Sequence, residues 1–173
     1  EMIGDETKLI FIANPNNPTG TLLTDNEIYN FLSKVPTRIP IVLDQAYYEY
    51  LDTRDQAMDW LNVFDNLIIT RTFSKAYGLA GLRVGYSVSR PDIADYINRV
   101  RAPFNVNHSA QIAAIAALND VDYLQESVRS NTQGIKQLEE CFKSLNLHYI
   151  KSSANFIAVE FDNALETYEK LLK

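Results

Sequence analysis

The sequence predicts an α/β fold in which a mostly parallel β-sheet carries helices on both faces. Two observations lead to this prediction. Short apolar runs that end in turn residues alternate with amphipathic helical segments, and this alternation is typical of parallel sheets. The apolar runs are also nearly continuous, as is expected of strands that are covered on both faces.

Each element is predicted from a local signal. The first strand is "KLIFIANP" (8–15), which ends in turn residues. In the helix "TDNEIYNFLSKV" (24–35), Thr24 and Glu27 have the spacing of a capping box, and apolar residues recur at helical spacing. Pro91 opens another helix, because proline is tolerated in the first helical turn. The other strands are predicted at 39–48, 66–73, 82–89 and 155–161, and the other helices at 56–64, 108–119 and 121–145.

Two domains are expected, a large one over residues 1–125 and the start of a smaller C-terminal one over residues 126–173. The long helix predicted at 121–145 supports this division, because long helices often bridge two lobes. The sequence begins close to a strand and stops in a helical segment, "YEKLLK". It is therefore expected to be part of a longer protein.

Composition excludes several classes of function. The 173 residues suffice for one well-buried domain. The net charge of -6 argues against broad contact with nucleic acid, which requires clustered Lys and Arg. No apolar run approaches the roughly 20 residues of a membrane span. The single cysteine, Cys141, and the lack of a signal-peptide pattern favour a cytoplasmic location. No His, Cys and carboxylate cluster has metal-ligand spacing.

Polar residues follow three of the predicted strands. The first cluster is "NPNNPTG" (14–20), where two prolines and a glycine favour a rigid turn, since proline fixes φ and glycine permits positive φ. Such a turn can aim a side-chain amide at a ligand. It can equally be a plain strand-to-helix connection, and both interpretations stay open.

The second cluster contains Asp44, near the end of the strand predicted at 39–48. A carboxylate at the end of a buried strand is costly unless it meets a cation or several donors. Asp44 therefore either binds such a group or caps the next turn. Tyr47 lies three residues further on, and its phenol can donate or accept a hydrogen bond nearby.

The third cluster is "RTFSKAYGLAGLRVGY" (71–86). Thr72 and Ser74 supply hydroxyls, Lys75 supplies an amine, and Arg83 supplies a planar guanidinium suited to phosphate. The glycines between them permit close approach of the backbone. This set suits a phosphorylated aldehyde, because an amine can react with the aldehyde while hydroxyls and a guanidinium bind the phosphate.

Taken in order and spacing, these three motifs resemble the fold type I pyridoxal-phosphate (PLP) aminotransferases of class I/II. Among the branches of that family, "SKAYGLAGLRVGY" and "RAPFNVN" are most similar to histidinol-phosphate aminotransferases. The resemblance covers essentially the whole chain but only the middle half or so of the family's usual length. The family's glycine-containing phosphate loop and ring-stacking aromatic would lie upstream, and its substrate-carboxylate arginine downstream.

The resemblance implies a role for each candidate residue. Lys75 would bind the cofactor aldehyde and carry a proton between substrate and cofactor. Asp44 would pair with the pyridine nitrogen, and Tyr47 and Asn17 would bond the phenolic oxygen. The cofactor phosphate would be bound by Thr72, Ser74 and Arg83.

The implied activity is transamination between L-histidinol phosphate and 2-oxoglutarate, in histidine biosynthesis, by a homodimer with active sites at the subunit interface. The isolated chain would be inactive, because part of the site would be missing. Other interpretations of the function stay open: an aromatic or aspartate-type aminotransferase, a phosphothreonine-type decarboxylase, or a non-catalytic PLP-binding sensor domain.

Overall fold

The computed structural model describes residues 3–52 and 56–173. Its strands are β1 (Ile10–Ala13), β2 (Ile41–Asp44), β3 (Leu67–Thr72) and β4 (Gly85–Ser89). Its α-helices are α1 (Asp25–Leu32), α2 (Ala57–Trp60), α3 (Pro91–Val100), α4 (His108–Asn119), α5 (Val121–Ser144) and α6 (Ala164–Leu171).

The four strands form one sheet in the order β1-β2-β3-β4, and this confirms the predicted α/β class. The first three strands are parallel, whereas β4 runs antiparallel to β3. The loop between β3 and β4 contains only the short 3-10 turn Ala80–Leu82. Because this loop does not cross to the other end of the sheet, β4 starts where β3 ends and runs antiparallel to it. Thr72 and Gly85 are consequently paired across the end of the sheet.

One core packs α1 and α2 against β2 and β3. The predicted capping box is confirmed at the start of α1: the Thr24 hydroxyl accepts from the Glu27 amide, and the Glu27 carboxylate accepts from the Thr24 amide. The buried side chains of this core are Ile28, Leu32, Val35, Ile39, Ile41, Leu43, Ala57, Trp60, Leu67 and Ile69. A smaller cluster joins α4 to Phe73 and Val84 at the loop between β3 and β4.

The C-terminal region (121–173) differs from its prediction. In place of a strand at 155–161 there is one antiparallel bridge, between Tyr149 and Val159. A strand needs a partner along its length, and here the pairing extends no further. The expected domain boundary at 125/126 falls inside the continuous helix α5, and the division stays a prediction. Within residues 3–52 and 56–173, no helix is long and apolar enough to cross a membrane.

Candidate active site

Three chain segments leave the sheet at the same edge, where β1, β2 and β3 end. Ala13 is in register with Asp44, and Asp44 with Thr70. The ladder continues one residue beyond the strands, because the Asn14 amide donates to the Asp44 carbonyl at 2.9 Å. Ligands of open α/β sheets gather outside the carboxyl ends of the strands, so this edge is where the candidate residues were expected to meet.

The turn at 14–20 is built tightly. The Asn14 side chain is buried and bonds both backbone groups of Leu23, accepting from the amide at 2.7 Å and donating to the carbonyl at 3.1 Å. The peptide bonds before Pro15 and Pro18 are both cis. Gly20 has a φ of 76°, and a Cβ there would overlap the Ser152 side chain, so only glycine fits.

Asn17 and Lys75 both approach Tyr47. The Asn17 amide donates to the Tyr47 hydroxyl at 2.9 Å. The Lys75 ammonium lies 5.2 Å from the centre of the Tyr47 ring, within the range of a cation–π contact. Tyr47 itself is only 5% exposed. The structure therefore brings together three side chains that come from three separate segments of the chain.

Asp44 ends β2 at this edge and is half-buried. One of its carboxylate oxygens accepts from the Ala46 amide at 2.9 Å, so Asp44 caps the turn that follows β2, and its role toward a ligand stays a prediction. A carboxylate offers about four lone-pair sites. The bond to Ala46 therefore orients the group and leaves it able to accept from a ligand.

The candidate phosphate-binding residues form one connected group. The Ser74 amide donates to the Thr72 hydroxyl at 3.1 Å, and the Arg83 guanidinium donates to the Ser74 hydroxyl at 3.3 Å. The same guanidinium nitrogen donates to the Ala80 carbonyl at 2.8 Å. Arg83 has a φ of 54°, in the left-handed region, which costs a non-glycine residue roughly 1–2 kcal/mol. Its guanidinium is thus placed by an unusual backbone conformation.

The loop after Lys75 is compact at one glycine. The Gly78 amide donates to the Lys75 carbonyl at 2.9 Å, and Gly78 has a φ of 71°. A Cβ on Gly78 would meet the Tyr123 hydroxyl, whereas one on Gly81 would meet open space. The close approach expected at both glycines is therefore found within this chain only at Gly78.

The C-terminal region reaches this edge through contacts that the sequence did not signal. The Phe156 and Tyr47 rings are in an edge-to-face arrangement, with 5.3 Å between the ring centres. Burial raises the pKa of the Tyr50 phenol, and hydrogen bonding with the Asn155 and Ser127 side chains acts in the opposite direction. The sequence signal in this region is the apolar pattern of 155–161, which predicts a strand and not this contact.

A further contact that the motifs did not reveal lies between β2 and β3. The Arg71 guanidinium donates to the Gln45 side chain at 2.8 and 3.2 Å and stacks over the Tyr48 ring at 3.9 Å. It thereby ties the segment after β2 to β3. Among the residues that the structure describes, no cluster of His, Cys, Asp or Glu could hold a metal ion.

Comparisons with known proteins agree with this arrangement. The family model described as aminotransferase class I and II matches residues 1–173. The histidinol-phosphate aminotransferase of Methylobacillus flagellatus is 53% identical over 173 residues, which are 99% of this chain and 47% of that protein. The chain thus spans about half the length of the curated relatives it matches.

Two solved structures share the fold. The histidinol-phosphate aminotransferase of Sinorhizobium meliloti, in complex with pyridoxal-5'-phosphate, has a TM-score of 0.82 and 37% identity, covering 87% of this chain and 41% of that one. The L-threonine-O-3-phosphate decarboxylase of Porphyromonas gingivalis has a TM-score of 0.72 and 26% identity, covering 85% and 45%. With a family model matched along its whole length, the chain belongs to the class I and II aminotransferases.

Proposed function

We propose that the protein carrying this chain is a PLP-dependent aminotransferase that exchanges an amino group between L-histidinol phosphate and 2-oxoglutarate. It would act in histidine biosynthesis as a cytoplasmic homodimer. The observation that carries the proposal is the meeting of Asn17, Tyr47 and Lys75 at the carboxyl edge of the sheet. The 53% identity to a histidinol-phosphate aminotransferase supports the choice of substrate.

The chemistry of the site fits the cofactor. PLP presents a phosphate, an aldehyde, a phenolic oxygen and a basic ring nitrogen. The connected hydroxyls and guanidinium of Thr72, Ser74 and Arg83 suit the phosphate, and the Lys75 amine suits the aldehyde. A neutral phenol suits the phenolic oxygen, and a carboxylate suits a protonated ring nitrogen.

Three side chains would then orient the ring. Asn17 donates one amide hydrogen to the Tyr47 oxygen. Its second amide hydrogen and the hydroxyl proton of Tyr47 would both donate to the phenolic oxygen of the ring. The Asp44 carboxylate, already oriented by the Ala46 amide, would keep the ring nitrogen protonated. When bound, PLP supplies an electron sink for the charge that develops on the substrate α-carbon. The Lys75 amine would accept the proton that leaves that carbon.

Absorbance spectroscopy of the full-length protein tests the cofactor assignment. Titration with PLP should produce a long-wavelength band, and borohydride should then attach the cofactor permanently to Lys75, as peptide mapping would show. Lys75→Ala should lose this attachment and lower turnover by at least about 10³-fold. Lys151→Ala, which removes an exposed lysine of the C-terminal region, is the control. Ordinary turnover in Lys75→Ala would refute the mechanism.

Substrate assays separate the candidate reactions. The full-length protein should transfer the amino group of histidinol phosphate to 2-oxoglutarate faster than that of aspartate or phenylalanine. The structural likeness to the Porphyromonas enzyme favours a second candidate, phosphothreonine decarboxylation, which would release carbon dioxide instead. PLP binding without turnover of any of these substrates would indicate a sensor domain. Light scattering of the same protein tests the homodimer.

A further inference from the structure

One short segment of the C-terminal region contacts Tyr47 and also Gly20, which ends the turn that carries Asn17. This segment, Ser152–Phe156, is called the positioning segment here. We propose that it is a positioning element of the cofactor site, which sets the direction of the Tyr47 hydroxyl without touching the cofactor. The inference rests on the proposed function and adds Phe156 as a positioning residue.

The positioning segment is bonded to the turn that carries Asn17. The Ser153 amide donates to the Gly20 carbonyl at 2.8 Å. The Ser152 side chain fills the space that a Cβ on Gly20 would need. Gly20 ends the same turn in which Asn17 lies, so a shift of the segment would move the Asn17 amide.

The positioning segment also packs against Tyr47. The rings of Phe156 and Tyr47 are 5.3 Å apart at an interplanar angle of 82°, which is the edge-to-face arrangement that aromatic pairs prefer. Asn17 holds the hydroxyl end of Tyr47, and Phe156 packs on its ring. Together they restrict both the position and the rotation of the phenol.

The positioning segment is itself well anchored. Ala154 is 2% exposed, and its carbonyl accepts from the Asn131 side chain on α5 at 3.2 Å. The Ala154 amide donates to the Ser152 hydroxyl at 3.0 Å. An anchored segment can transmit its position to the groups it touches.

The position of Tyr47 should affect the affinity of the site for PLP. The strength of a hydrogen bond falls steeply when its geometry is distorted, so a small displacement of Tyr47 would weaken its bond with Asn17 and misdirect its own proton. Removing the Phe156 ring should therefore weaken cofactor binding, although Phe156 makes no contact with the cofactor in this proposal.

Affinity for PLP, measured on the full-length apoprotein, tests the idea. Phe156→Leu should weaken PLP binding about three- to tenfold, the range expected for losing one aromatic pair. Phe156→Tyr keeps the ring and should stay within about twofold of wild type. Phe142→Leu is the matched control, because Phe142 pairs with Tyr149 at 5.8 Å in the same region and lies outside the contacts described above. It should leave PLP affinity unchanged.

A double-mutant cycle distinguishes positioning from a general structural effect. Tyr47→Phe keeps the ring and removes the hydroxyl. If Phe156 acts by directing that hydroxyl, Phe156→Leu should cause little further loss of affinity in the Tyr47→Phe background. An equal loss in both backgrounds would overturn the proposal.

The pH dependence of the cofactor absorbance supplies a spectroscopic readout. A donor to an anionic ring oxygen favours the deprotonated form of the bound cofactor. Tyr47→Phe should therefore move the midpoint of the absorbance titration to higher pH. Phe156→Leu should move this midpoint in the same direction by less, and Phe142→Leu should leave it unchanged. A midpoint that Phe156→Leu leaves at the wild-type pH would contradict the inference.

The outcomes separate this inference from the proposed function. If the wild-type protein binds no PLP, both are wrong. If it binds PLP and Tyr47→Phe weakens binding while Phe156→Leu does not, only the positioning role is wrong. Should Phe156→Leu fail to fold, Phe156→Met retains side-chain volume without the ring and is expected to give the same loss of affinity.

Discussion

The sheet region (10–89) and the C-terminal region (121–173) are stabilised differently. In the sheet region, apolar side chains of two helices and two strands form one closed core. On α5 and α6, none of the described side chains is buried. Apolar residues there are well exposed: 45% for Leu138, 69% for Leu165 and 78% for Leu171.

This difference shows which region holds the residues of the candidate site and which region supports them. Asp44, Tyr47 and Thr72 extend from strands or turns that the closed core fixes, so their positions follow from local packing. The C-terminal region reaches the site through an aromatic pair, a contact with a glycine and a backbone hydrogen bond. It therefore adjusts the geometry of the site, whereas the sheet region creates it.

The largest difference in turnover is expected between substitutions of a carboxylate at the carboxyl edge of the sheet and of one at the opposite edge. Asp44→Asn in the full-length protein should lower turnover about 10²- to 10³-fold, because losing one partner of a hydrogen-bonded charge pair costs about 2–5 kcal/mol. Asp65→Asn, just before β3 at the opposite edge, removes an exposed carboxylate that pairs with Arg90 and should change turnover less than about twofold. Steady-state kinetics check both variants. Equal losses would contradict the assignment of the site to the carboxyl edge.

Core substitutions should separate the two regions in stability. Leu43→Ala should lower the free energy of unfolding by about 2–5 kcal/mol, because Leu43 is 1% exposed and its loss leaves a cavity. Leu138→Ala, on the exposed face of α5, should cost less than about 1 kcal/mol. Urea unfolding of both variants measures the difference. A comparable loss for Leu138→Ala would mean that the C-terminal region has a core of its own.

Gly20→Ala tests the contact between the two regions. The substitution should cost about 1–3 kcal/mol, because the new Cβ meets Ser152 and the φ of 76° is unfavourable for alanine. Adding Ser152→Gly should recover the part due to the clash and leave the part due to φ. Gly134→Ala, in open space on α5, should instead stabilise the protein by about 0.5–1 kcal/mol. Thermal unfolding compares the three. Failure of Ser152→Gly to recover any stability would show that the contact is unimportant.

The smallest effect is expected at the start of α1, within the sheet region. Hydrogen bonds from the Thr24 amide and hydroxyl lower the pKa of the Glu27 carboxyl below its ordinary value of 4.5. A lowered pKa contributes stability that is present above pH 4.5 and is lost as pH falls through the lowered value. Wild type should therefore exceed Glu27→Gln slightly in stability at neutral pH, and the difference should vanish in acid. Denaturant unfolding across this pH range measures the difference in stability between the two proteins. A difference that does not change with pH would show that the charge of Glu27 does not contribute to stability.

Elements with strong local signals could be predicted from the sequence. The strands β1, β2 and β3 appear as apolar runs, and α1 is marked by its capping box and helical spacing. The order of the motifs around Asn17, Asp44 and Lys75 also pointed to one sheet edge, since parallel strands end on the same side. The prediction of a strand at 155–161 was wrong, because an apolar pattern does not specify a pairing partner.

The sequence by itself determined the alternation of strands and helices and the chemical groups of the candidate site, because these depend on residue type and short-range spacing. Tertiary structure alone decided the antiparallel direction of β4, the bond between Asn17 and Tyr47 across thirty residues, and the contact of Phe156 with Tyr47. The physical reason is that these contacts join segments distant in the sequence. Their geometry is set by how the core packs and leaves no local pattern in the residues themselves.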